Sequence, residues 1–367
     1  MGTSLTRTIA LLTLVVFTAL YGCDRADAPT ASKDSEQGIE EPQKKVSEED
    51  RQTAEADDGR TASRTTVTDE EPTTAALAAQ ESGIQGAAAM FEGKRLLQRS
   101  ALDVHPSPRK AEKRRSKMYA DGCQLSQSET ESPKCVYGNP SSRTTVVLFG
   151  DSHAMHWFPA LNKIAKERDW RLVGLTKSAC PPAGVSRYVA SLRRVYSECD
   201  IWRERTLTRI VQEERPTMVV TSMNSPYQVI QDGRRLGSEA SSRAMEEEYV
   251  STLERLRGSG TEVVVIEDVP HPDRDVPQCV SRSLDRLRDC ATPRSKAFGR
   301  PLVNARAASR AAGAHFIDPT AVLCLERVCP AVIGDALVYR NGAHLTPVYV
   351  RTLTPWLADQ LPTLADP

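Results

Sequence analysis

Ser152 is the residue of this chain best placed to act as a nucleophile. It lies in the segment Gly150-Asp151-Ser152-His153, directly after the apolar residues 146–149. A short apolar run that ends in a glycine turn is typical of a buried parallel strand, and open α/β sheets bind their ligands at the carboxyl ends of such strands. Backbone N–H groups at the start of a following helix could stabilise an oxyanion. The pattern therefore predicts attack by Ser152 on a carbonyl carbon.

A serine nucleophile needs a base, and His344 is the best candidate among the six histidines. It follows the fifth predicted strand and precedes the last predicted helix, so its loop can return to the sheet edge that carries Ser152. His153 is expected near the pocket, where it would tune the serine or contact the substrate; the alternative is a histidine that only hydrogen-bonds at the helix start. Asp151 is expected to cap that helix or fix the turn.

Alternating strands and helices must position these residues. Strands are predicted at 145–149, 171–176, 218–222, 262–267 and 315–317, and helices at 154–168, 201–214, 243–256, 301–312 and 347–361. Strands separated by helices predict a parallel sheet that is covered on both faces. We therefore predict an α/β fold, a flavodoxin-like three-layer α/β/α sandwich with a parallel sheet of about five strands. Glu267 and Asp268 close the fourth strand, where they would line the pocket or remain solvated loop carboxylates.

The run from Gly150 to Ala160, Gly-Asp-Ser-His-Ala-Met-His-Trp-Phe-Pro-Ala, resembles the first motif of the SGNH (GDSL-type) hydrolases. More specifically, it resembles the extracytoplasmic SGNH domain that many bacterial membrane acyltransferases carry at their carboxyl end. The segments 196–203 and 339–346 resemble the same branch, and the similarity spans residues 115–362. The resemblance implies the SGNH hydrolase fold, with Ser152 as nucleophile, His344 as base and O-acylated cell-surface sugars as substrates.

The chain departs from this family beside the base. SGNH enzymes typically carry Asp-x-x-His at this place, and the Asp position holds Asn341. An asparagine accepts a hydrogen bond from an imidazole, but it does not stabilise an imidazolium by charge. Three interpretations stay open: a slow enzyme that uses Ser152 and His344, a different orienting carboxylate at Asp335 or Asp318, and a site that binds a sugar ester without turnover.

The resemblance also implies an oxyanion hole that combines the Ser152 backbone N–H with donors from two later motifs. Asn224, after the third strand, lies at about the place of the family's asparagine donor, but the usual Gly-x-Asn-Asp sequence is missing. An ordinary loop asparagine is the alternative. Fewer donors would weaken the oxyanion hole, because each lost donor can cost about 10²–10³ in rate.

No cofactor, metal or nucleic acid is expected. A zinc site built from His153, His156 and His344 is an alternative, but it lacks a carboxylate at an obvious spacing. The formal net charge is zero, and no stacking motif accompanies the basic residues.

The cysteines indicate an exported protein with disulfides. Apart from Cys23, eight cysteines fall into four pairs that are local in sequence, and none has CxxC spacing. An even set of this kind is typical of a disulfide framework in an oxidising compartment. Sequence alone leaves the connectivity open, but the local spacing favours the pairs Cys123–Cys135, Cys180–Cys199, Cys279–Cys290 and Cys324–Cys329.

The N-terminal part predicts a lipid anchor and a tether. Residues 1–22 are interpreted as a lipoprotein signal peptide, because their apolar run is shorter than the roughly 20 residues of a membrane span and Cys23 follows a small residue. Residues 23–90 are predicted to be a lipid-anchored disordered tether, since residues 24–90 hold 16 acidic and 7 basic residues and no aromatic. Residues 91–140 are predicted to form a basic arm and a Cys-rich extension, and 141–367 the SGNH domain.

The leading hypothesis is a serine esterase or O-acyltransferase that acts on O-acyl groups of cell-envelope polysaccharide. It would be extracytoplasmic and lipid-anchored to a bacterial membrane, in the periplasm or at the cell surface. In the resembling family the SGNH domain follows a multi-helix membrane domain; without one, transfer would need a separate membrane acyl-donor protein. The alternative is a non-catalytic glycan-binding or assembly lipoprotein on a degenerate SGNH scaffold, which Asn341 favours.

Overall fold

The computed structural model describes residues 83–91, 103–225, 227–299 and 302–364, all within one compact unit. The predicted signal peptide, Cys23 and the predicted tether up to residue 82 lie outside the described residues. None of the helices that the structure describes is long and apolar enough to cross a membrane.

A central sheet of seven strands carries the fold. Its strands are β1 (Gln124–Leu125), β2 (Val136–Gly138), β3 (Thr145–Gly150), β4 (Arg171–Lys177), β5 (Met218–Ser222), β6 (Glu262–Ile266) and β7 (His315–Ile317). Short two-stranded pairs outside it join Tyr188–Val189 to Arg194–Val195, Ile230–Gln231 to Arg234–Arg235, Thr292–Pro293 to Val328–Cys329, and Val332–Ile333 to Ala336–Leu337.

Helices lie between and beside the strands. The α-helices are α1 (Ala88–Phe91), α2 (Lys117–Ala120), α3 (Ser152–His156), α4 (Phe158–Glu167), α5 (Ser197–Arg209), α6 (Ser238–Arg257), α7 (Val276–Arg282), α8 (Arg294–Ala297), α9 (Ala305–Ala312), α10 (Thr320–Leu323), α11 (Pro347–Thr352) and α12 (Thr354–Gln360). Two 3-10 turns span Pro108–Lys110 and Leu287–Cys290, and a π-helical turn at Ile210–Glu214 continues α5.

The strand order confirms the predicted flavodoxin-like α/β/α sandwich. The order is β1-β4-β3-β5-β6-β7, and the five strands from β4 to β7 all run parallel. The chain therefore goes from β3 to β4 on one side and from β4 across to β5 on the other. In doubly wound sheets this reversal opens a crevice at the carboxyl ends of the strands, where ligands bind. The carboxyl end of β3 lies at that crevice.

Both faces of the sheet are buried, which explains the continuous apolar runs of its strands. Val146 and Leu148 pack into the core on one face of β3, while Val147 and Phe149 pack into the core on the other. All four side chains are fully buried. Because burial of such a side chain stabilises a fold by roughly 1.5–3 kcal/mol, β3 is held rigidly beneath the residues that follow it.

The described residues contain four disulfides, which have the predicted pairing. They join Cys123–Cys135, Cys180–Cys199, Cys279–Cys290 and Cys324–Cys329. Each closes a loop of fewer than twenty residues; the first joins the residue before β1 to the residue before β2, and the second follows β4. Disulfides of this kind restrict the unfolded chain and typically stabilise by about 2–4 kcal/mol.

Two predicted helices are broken in the structure. The predicted helix 154–168 is divided into α3 and α4 at Trp157, and the predicted helix 347–361 is divided into α11 and α12 at Leu353. In each case a proline, Pro159 or Pro355, occupies the first turn of the second helix. A proline lacks the backbone N–H that a continuous helix needs, but it fits the first turn of a new one.

The predicted domain boundaries differ from the packing in two places. Residues 83–90, predicted as part of a disordered tether, lie against the domain: the backbone N–H groups of Gln85 and Gly86 donate to Asp335 Oδ1 at 2.8 and 3.2 Å, and Ala87 is buried. Within the predicted arm and extension, β1 pairs with the carboxyl half of β4 and β2 with its amino half. Strands this short carry little pattern of their own, which explains why sequence did not place them in the sheet.

Candidate active site

A sharp turn at the end of β3 presents Ser152. Gly150 adopts φ +145°, and a Cβ there would lie 2.4 Å from the backbone oxygen of Ser222 on β5. Only glycine fits this approach, because any side chain would collide with the neighbouring strand. The chain then turns through Asp151 into α3, whose first residue is Ser152. The sheet thus fixes the backbone on which the serine stands.

Asp151 supports this turn, as predicted. Its Oδ1 accepts the His153 backbone N–H at 2.8 Å and caps α3. Its Oδ2 accepts the Asn224 backbone N–H at 2.9 Å and the Tyr227 hydroxyl at 2.6 Å. The carboxyl is fully buried, and burial raises its pKa even though these donors favour the ionised form. Asp151 therefore ties the start of α3 to the loop after β5.

The structure brings together Ser152, His344 and Asn341. His344 Nε2 lies 3.0 Å from Ser152 Oγ, and His344 Nδ1 lies 3.0 Å from Asn341 Oδ1. The serine and the histidine are 192 residues apart in the chain. Their contact depends on the loop directly before α11, which returns to the carboxyl edge of the sheet. These distances would allow the three side chains to act as a nucleophile, a base and an orienting group.

Asn341 holds the histidine in a defined tautomer. Its Oδ1 also accepts the backbone N–H groups of Ala343 at 3.0 Å and His344 at 2.9 Å. Because backbone N–H groups can only donate, the atom that faces them is the amide oxygen. The same oxygen therefore accepts a hydrogen bond from the N–H at His344 Nδ1. The other ring nitrogen, Nε2, then carries the lone pair and faces Ser152. This tautomer is the one that a general base requires.

The two carboxylates considered as alternative orienting groups bind elsewhere. Asp335 accepts the backbone N–H of Gln85, and Asp318 pairs with Arg306 at 3.1 Å. Asn341 is accordingly the group that contacts His344 Nδ1.

Asp268 and two further histidines adjoin this trio. His153 Nδ1 donates to Asp268 Oδ1 at 2.5 Å, and His271 Nε2 donates to Asp268 Oδ2 at 2.9 Å. The carboxylate is buried, which opposes its ionisation. The charge and hydrogen bond of His153, together with those of His271, outweigh burial and lower the pKa of Asp268 well below its usual range. Asp268 is therefore a buried carboxylate shared by two imidazoles.

Four histidine side chains at the site lie close together and are called the imidazole cluster: His153, His156, His271 and His344. The ring centroid of His153 lies 4.6 Å from that of His156, 5.3 Å from that of His271 and 5.2 Å from that of His344. His271 was missed at the sequence level. Its position just after β6, at the same sheet edge as Ser152, is the signal that could have indicated it.

Burial and the neighbouring cations keep His344 neutral. Desolvation lowers its pKa most, and His153, Arg340 and His271 lower it further to about 2, although Asp268 acts in the opposite direction. His344 is thus available as a base at every ordinary pH. The same environment opposes the imidazolium that forms when the base takes a proton.

Asn224 is tied to the site through its backbone. Its N–H donates to Asp151 Oδ2, and the next residue, Ser225, donates its backbone N–H to Asp268 Oδ2 at 3.0 Å. The loop after β5 therefore lies beside Ser152, where an oxyanion donor would be needed. A role for the Asn224 side chain in an oxyanion hole stays a prediction.

Comparisons with protein families and with solved structures found the following similarities. A family model described as an SGNH domain fused to AT3 domains matches residues 122–359. The chain is similar to the periplasmic domain of a lipopolysaccharide acetyltransferase from Salmonella ser. Paratyphi A, with 15% identity and a TM-score of 0.46 over 66% of this chain and 87% of that one. It is also similar to TesA, with 14% identity and a TM-score of 0.31 over 59% of this chain and 100% of that one. No curated protein matches the chain.

Proposed function

The chain belongs to the family of SGNH domains that are fused to AT3 domains, and on this premise we propose that it is a serine esterase or O-acyltransferase acting on O-acyl groups of cell-envelope polysaccharide. The observation that carries the proposal is the 3.0 Å contact between His344 Nε2 and Ser152 Oγ. A buried strand, a glycine turn and a capped helix hold the nucleophile, and the loop of Asn341 holds the base.

The reaction would proceed through an acyl-enzyme. His344 Nε2 takes the proton of Ser152 Oγ as the oxygen attacks the ester carbonyl carbon and forms a tetrahedral intermediate. The intermediate collapses, the C–O bond to the sugar breaks, and the imidazolium returns its proton to the leaving sugar oxygen. Water, or the hydroxyl of a second sugar, then attacks the acyl group with His344 again as base. Water gives an esterase, and a sugar hydroxyl gives a transferase.

The Asn341 amide slows this reaction without forbidding it. In a serine protease triad, replacing Asp by Asn lowers turnover by about 10⁴ because the histidine is held in the wrong tautomer. Here the backbone N–H groups of Ala343 and His344 turn the amide oxygen toward the ring, which supports the productive tautomer. What is missing is the negative charge beside the imidazolium.

The four disulfides are typical of a protein outside the cytoplasm. We propose that Cys23 carries a lipid that anchors the chain to a bacterial membrane, and that a cell-envelope glycan is its substrate. If the enzyme is a transferase, a separate membrane protein would supply the acyl group.

A glycan-binding or assembly role without catalysis is the second candidate. The uncharged Asn341 and the strongly lowered pKa of His344 favour it, because both disfavour proton uptake by the base. In this case the same site would hold a sugar ester without cleaving it.

Hydrolysis of p-nitrophenyl acetate by the full chain tests the proposal. We expect the Ser152→Ala variant to lose the activity, and the Ser222→Ala variant to keep it. Ser222 is the matched control, because it is a buried serine on the neighbouring strand whose hydroxyl has no hydrogen-bond partner among the described residues. Equal rates for the wild type and Ser152→Ala would favour the binding role.

A further inference from the structure

Three rings of the imidazole cluster have nitrogen atoms that lie close to one another. One ring nitrogen each of His153, His156 and His344 lies within 4.8 Å of the other two. In a tetrahedral zinc site the Zn–N distances are about 2.0–2.1 Å, so its ligand atoms lie about 3.4 Å apart. Small rotations of the rings would close the remaining gap.

His156 is the member of this group that the serine chemistry does not use. It is 4% exposed, and neither of its ring nitrogens has a hydrogen-bond partner among the described residues. A buried imidazole without hydrogen-bond partners destabilises the fold, because burial removes its polar atoms from water and no hydrogen bond compensates for the loss. A neutral imidazole has one nitrogen with an N–H and one nitrogen with a lone pair, and the lone pair can bind a metal ion. A buried ring nitrogen of this kind can serve as a metal ligand.

The structure supplies the carboxylate that the sequence pattern lacks. Asp268, which is 115 residues from His153 in the chain, accepts a hydrogen bond from the N–H at His153 Nδ1. Asn341 Oδ1 does the same for His344 Nδ1. Zinc-ligating histidines almost always donate their outer N–H to a carboxylate or carbonyl, which fixes the ring and makes the inner nitrogen a better ligand. His153 and His344 are therefore held by hydrogen bonds of the kind that orient metal-binding histidines.

We propose that His153, His156 and His344 form a site for a divalent late transition metal ion of the zinc class. Three imidazoles in their neutral form and an open fourth position suit zinc, whereas magnesium and calcium prefer oxygen ligands. Ser152 Oγ lies beside the site, 3.0 Å from His344 Nε2. Binding needs no electron transfer: each imidazole gives one lone pair and keeps the proton on its other nitrogen, and a second proton on any ring is released to water.

Metal binding and serine catalysis exclude each other at this site. His344 Nε2 has one lone pair, which either accepts the proton of Ser152 or binds the ion. A bound ion thus removes the base and inhibits acylation; this consequence depends on the proposed function, whereas binding itself does not. Asp268 offsets the ion's charge, and Arg340 and His271, which also face the cluster, oppose it.

A second group, His153, Asp268 and His271, also has metal-ligand spacing. Both oxygens of Asp268 already accept hydrogen bonds from these two imidazoles and from backbone N–H groups. The unpartnered His156 therefore favours the first group.

Zinc uptake by the full chain, without a histidine tag, tests the proposal. Competition with a chromophoric zinc chelator should show one more zinc ion bound by the wild type than by His156→Phe and His156→Gln. The Phe variant keeps an aromatic ring, although a larger one, and loses no hydrogen bond to the described residues. Asp268→Asn should weaken zinc binding by about 10–100-fold. The matched control is His315→Phe, because His315 is an exposed histidine remote in sequence from the cluster, and it should bind as the wild type does.

A second readout separates this proposal from the proposed function. Zinc should slow modification of Ser152 by a fluorophosphonate in the wild type, a chelator should restore it, and magnesium at the same concentration should have no effect. If Ser152 is never modified, the proposed function fails while the zinc count still decides the metal site. The metal site is refuted if folded His156→Phe and His156→Gln bind zinc as tightly and in the same number as the wild type.

Discussion

Replacing Asn341 by aspartate restores the charge that the site lacks. Asn341 Oδ1 lies 3.0 Å from His344 Nδ1, and the backbone N–H groups that it accepts would equally be accepted by a carboxylate. The substitution Asn341→Asp therefore changes the charge beside the imidazole and little else. An orienting residue holds the histidine in the productive tautomer and stabilises the imidazolium by its charge. Because the wild type already has the productive tautomer, the substitution tests the effect of the charge alone.

The size of the effect follows from the pKa of His344. Burial and neighbouring cations lower that pKa to about 2. A carboxylate at hydrogen-bond distance typically raises the pKa of its cationic partner by about 1–3 units, and each unit corresponds to about 1.4 kcal/mol. If the imidazolium charge is fully developed in the transition state, acylation should be faster by about 10–1000-fold.

The assay is kcat/KM for p-nitrophenyl acetate as a function of pH. A base acts when neutral, at pH above its pKa, so raising the pKa of His344 should move the acid limb of the profile to higher pH while the plateau rises. Asn304→Asp is the matched control, because Asn304 caps α9 on the exposed surface and adds the same charge elsewhere. A folded Asn341→Asp variant with an unchanged or lower plateau would refute the assignment of Asn341 as the orienting residue.

Three further predictions concern stability and pH. Tyr227→Phe removes one donor from the buried Asp151 carboxyl and should lower the free energy of unfolding by about 1.5–3 kcal/mol in chemical denaturation; a change under about 0.5 kcal/mol would contradict the supporting role of this bond. Removing the Cys180–Cys199 disulfide by a double alanine substitution should cost about 2–4 kcal/mol, and an unchanged denaturation midpoint would show that the loop is held by packing alone. Burial raises the pKa of Glu267 to about 7, so the folded chain holds this proton more tightly than the unfolded chain. The free energy of unfolding therefore falls as the pH rises from about 4.5 through 7, because the buried carboxyl must ionise. Glu267→Gln should therefore stabilise the protein more at pH 8 than at pH 5, by at most about 3 kcal/mol, and equal effects at both pH values would contradict this.

The fold could be predicted wherever a single segment carries its own pattern. The strands 218–222 and 315–317 were predicted to the residue, and the four local cysteine pairs match the disulfides of the structure. The helix breaks at Trp157 and Leu353 were missed because apolar periodicity continues across them, while the following prolines act on the backbone. The edge strands β1 and β2 are two and three residues long, so only their pairing with β4 defines them.

The site could be predicted in part for the same reason. Ser152 and His344 follow recognisable turns, and the parallel sheet brings such turns to one edge. The contact between His153 and Asp268 depends on the register of β3, β5 and β6 and on the loop after β6, and no local pattern records that geometry. The amide orientation of Asn341 depends likewise on two backbone N–H groups of its own loop. A sequence shows that the carboxylate is absent, but only the structure shows that the tautomer is kept.

The most direct test of the account is the site of covalent modification. The full chain is treated with a fluorophosphonate, digested, and the modified peptide is identified by mass spectrometry, with His344→Gln treated in parallel. The account predicts one adduct, on Ser152, that forms much more slowly in His344→Gln. No adduct on Ser152, or an adduct that forms equally fast without His344, would contradict the assignment of these two residues as nucleophile and base.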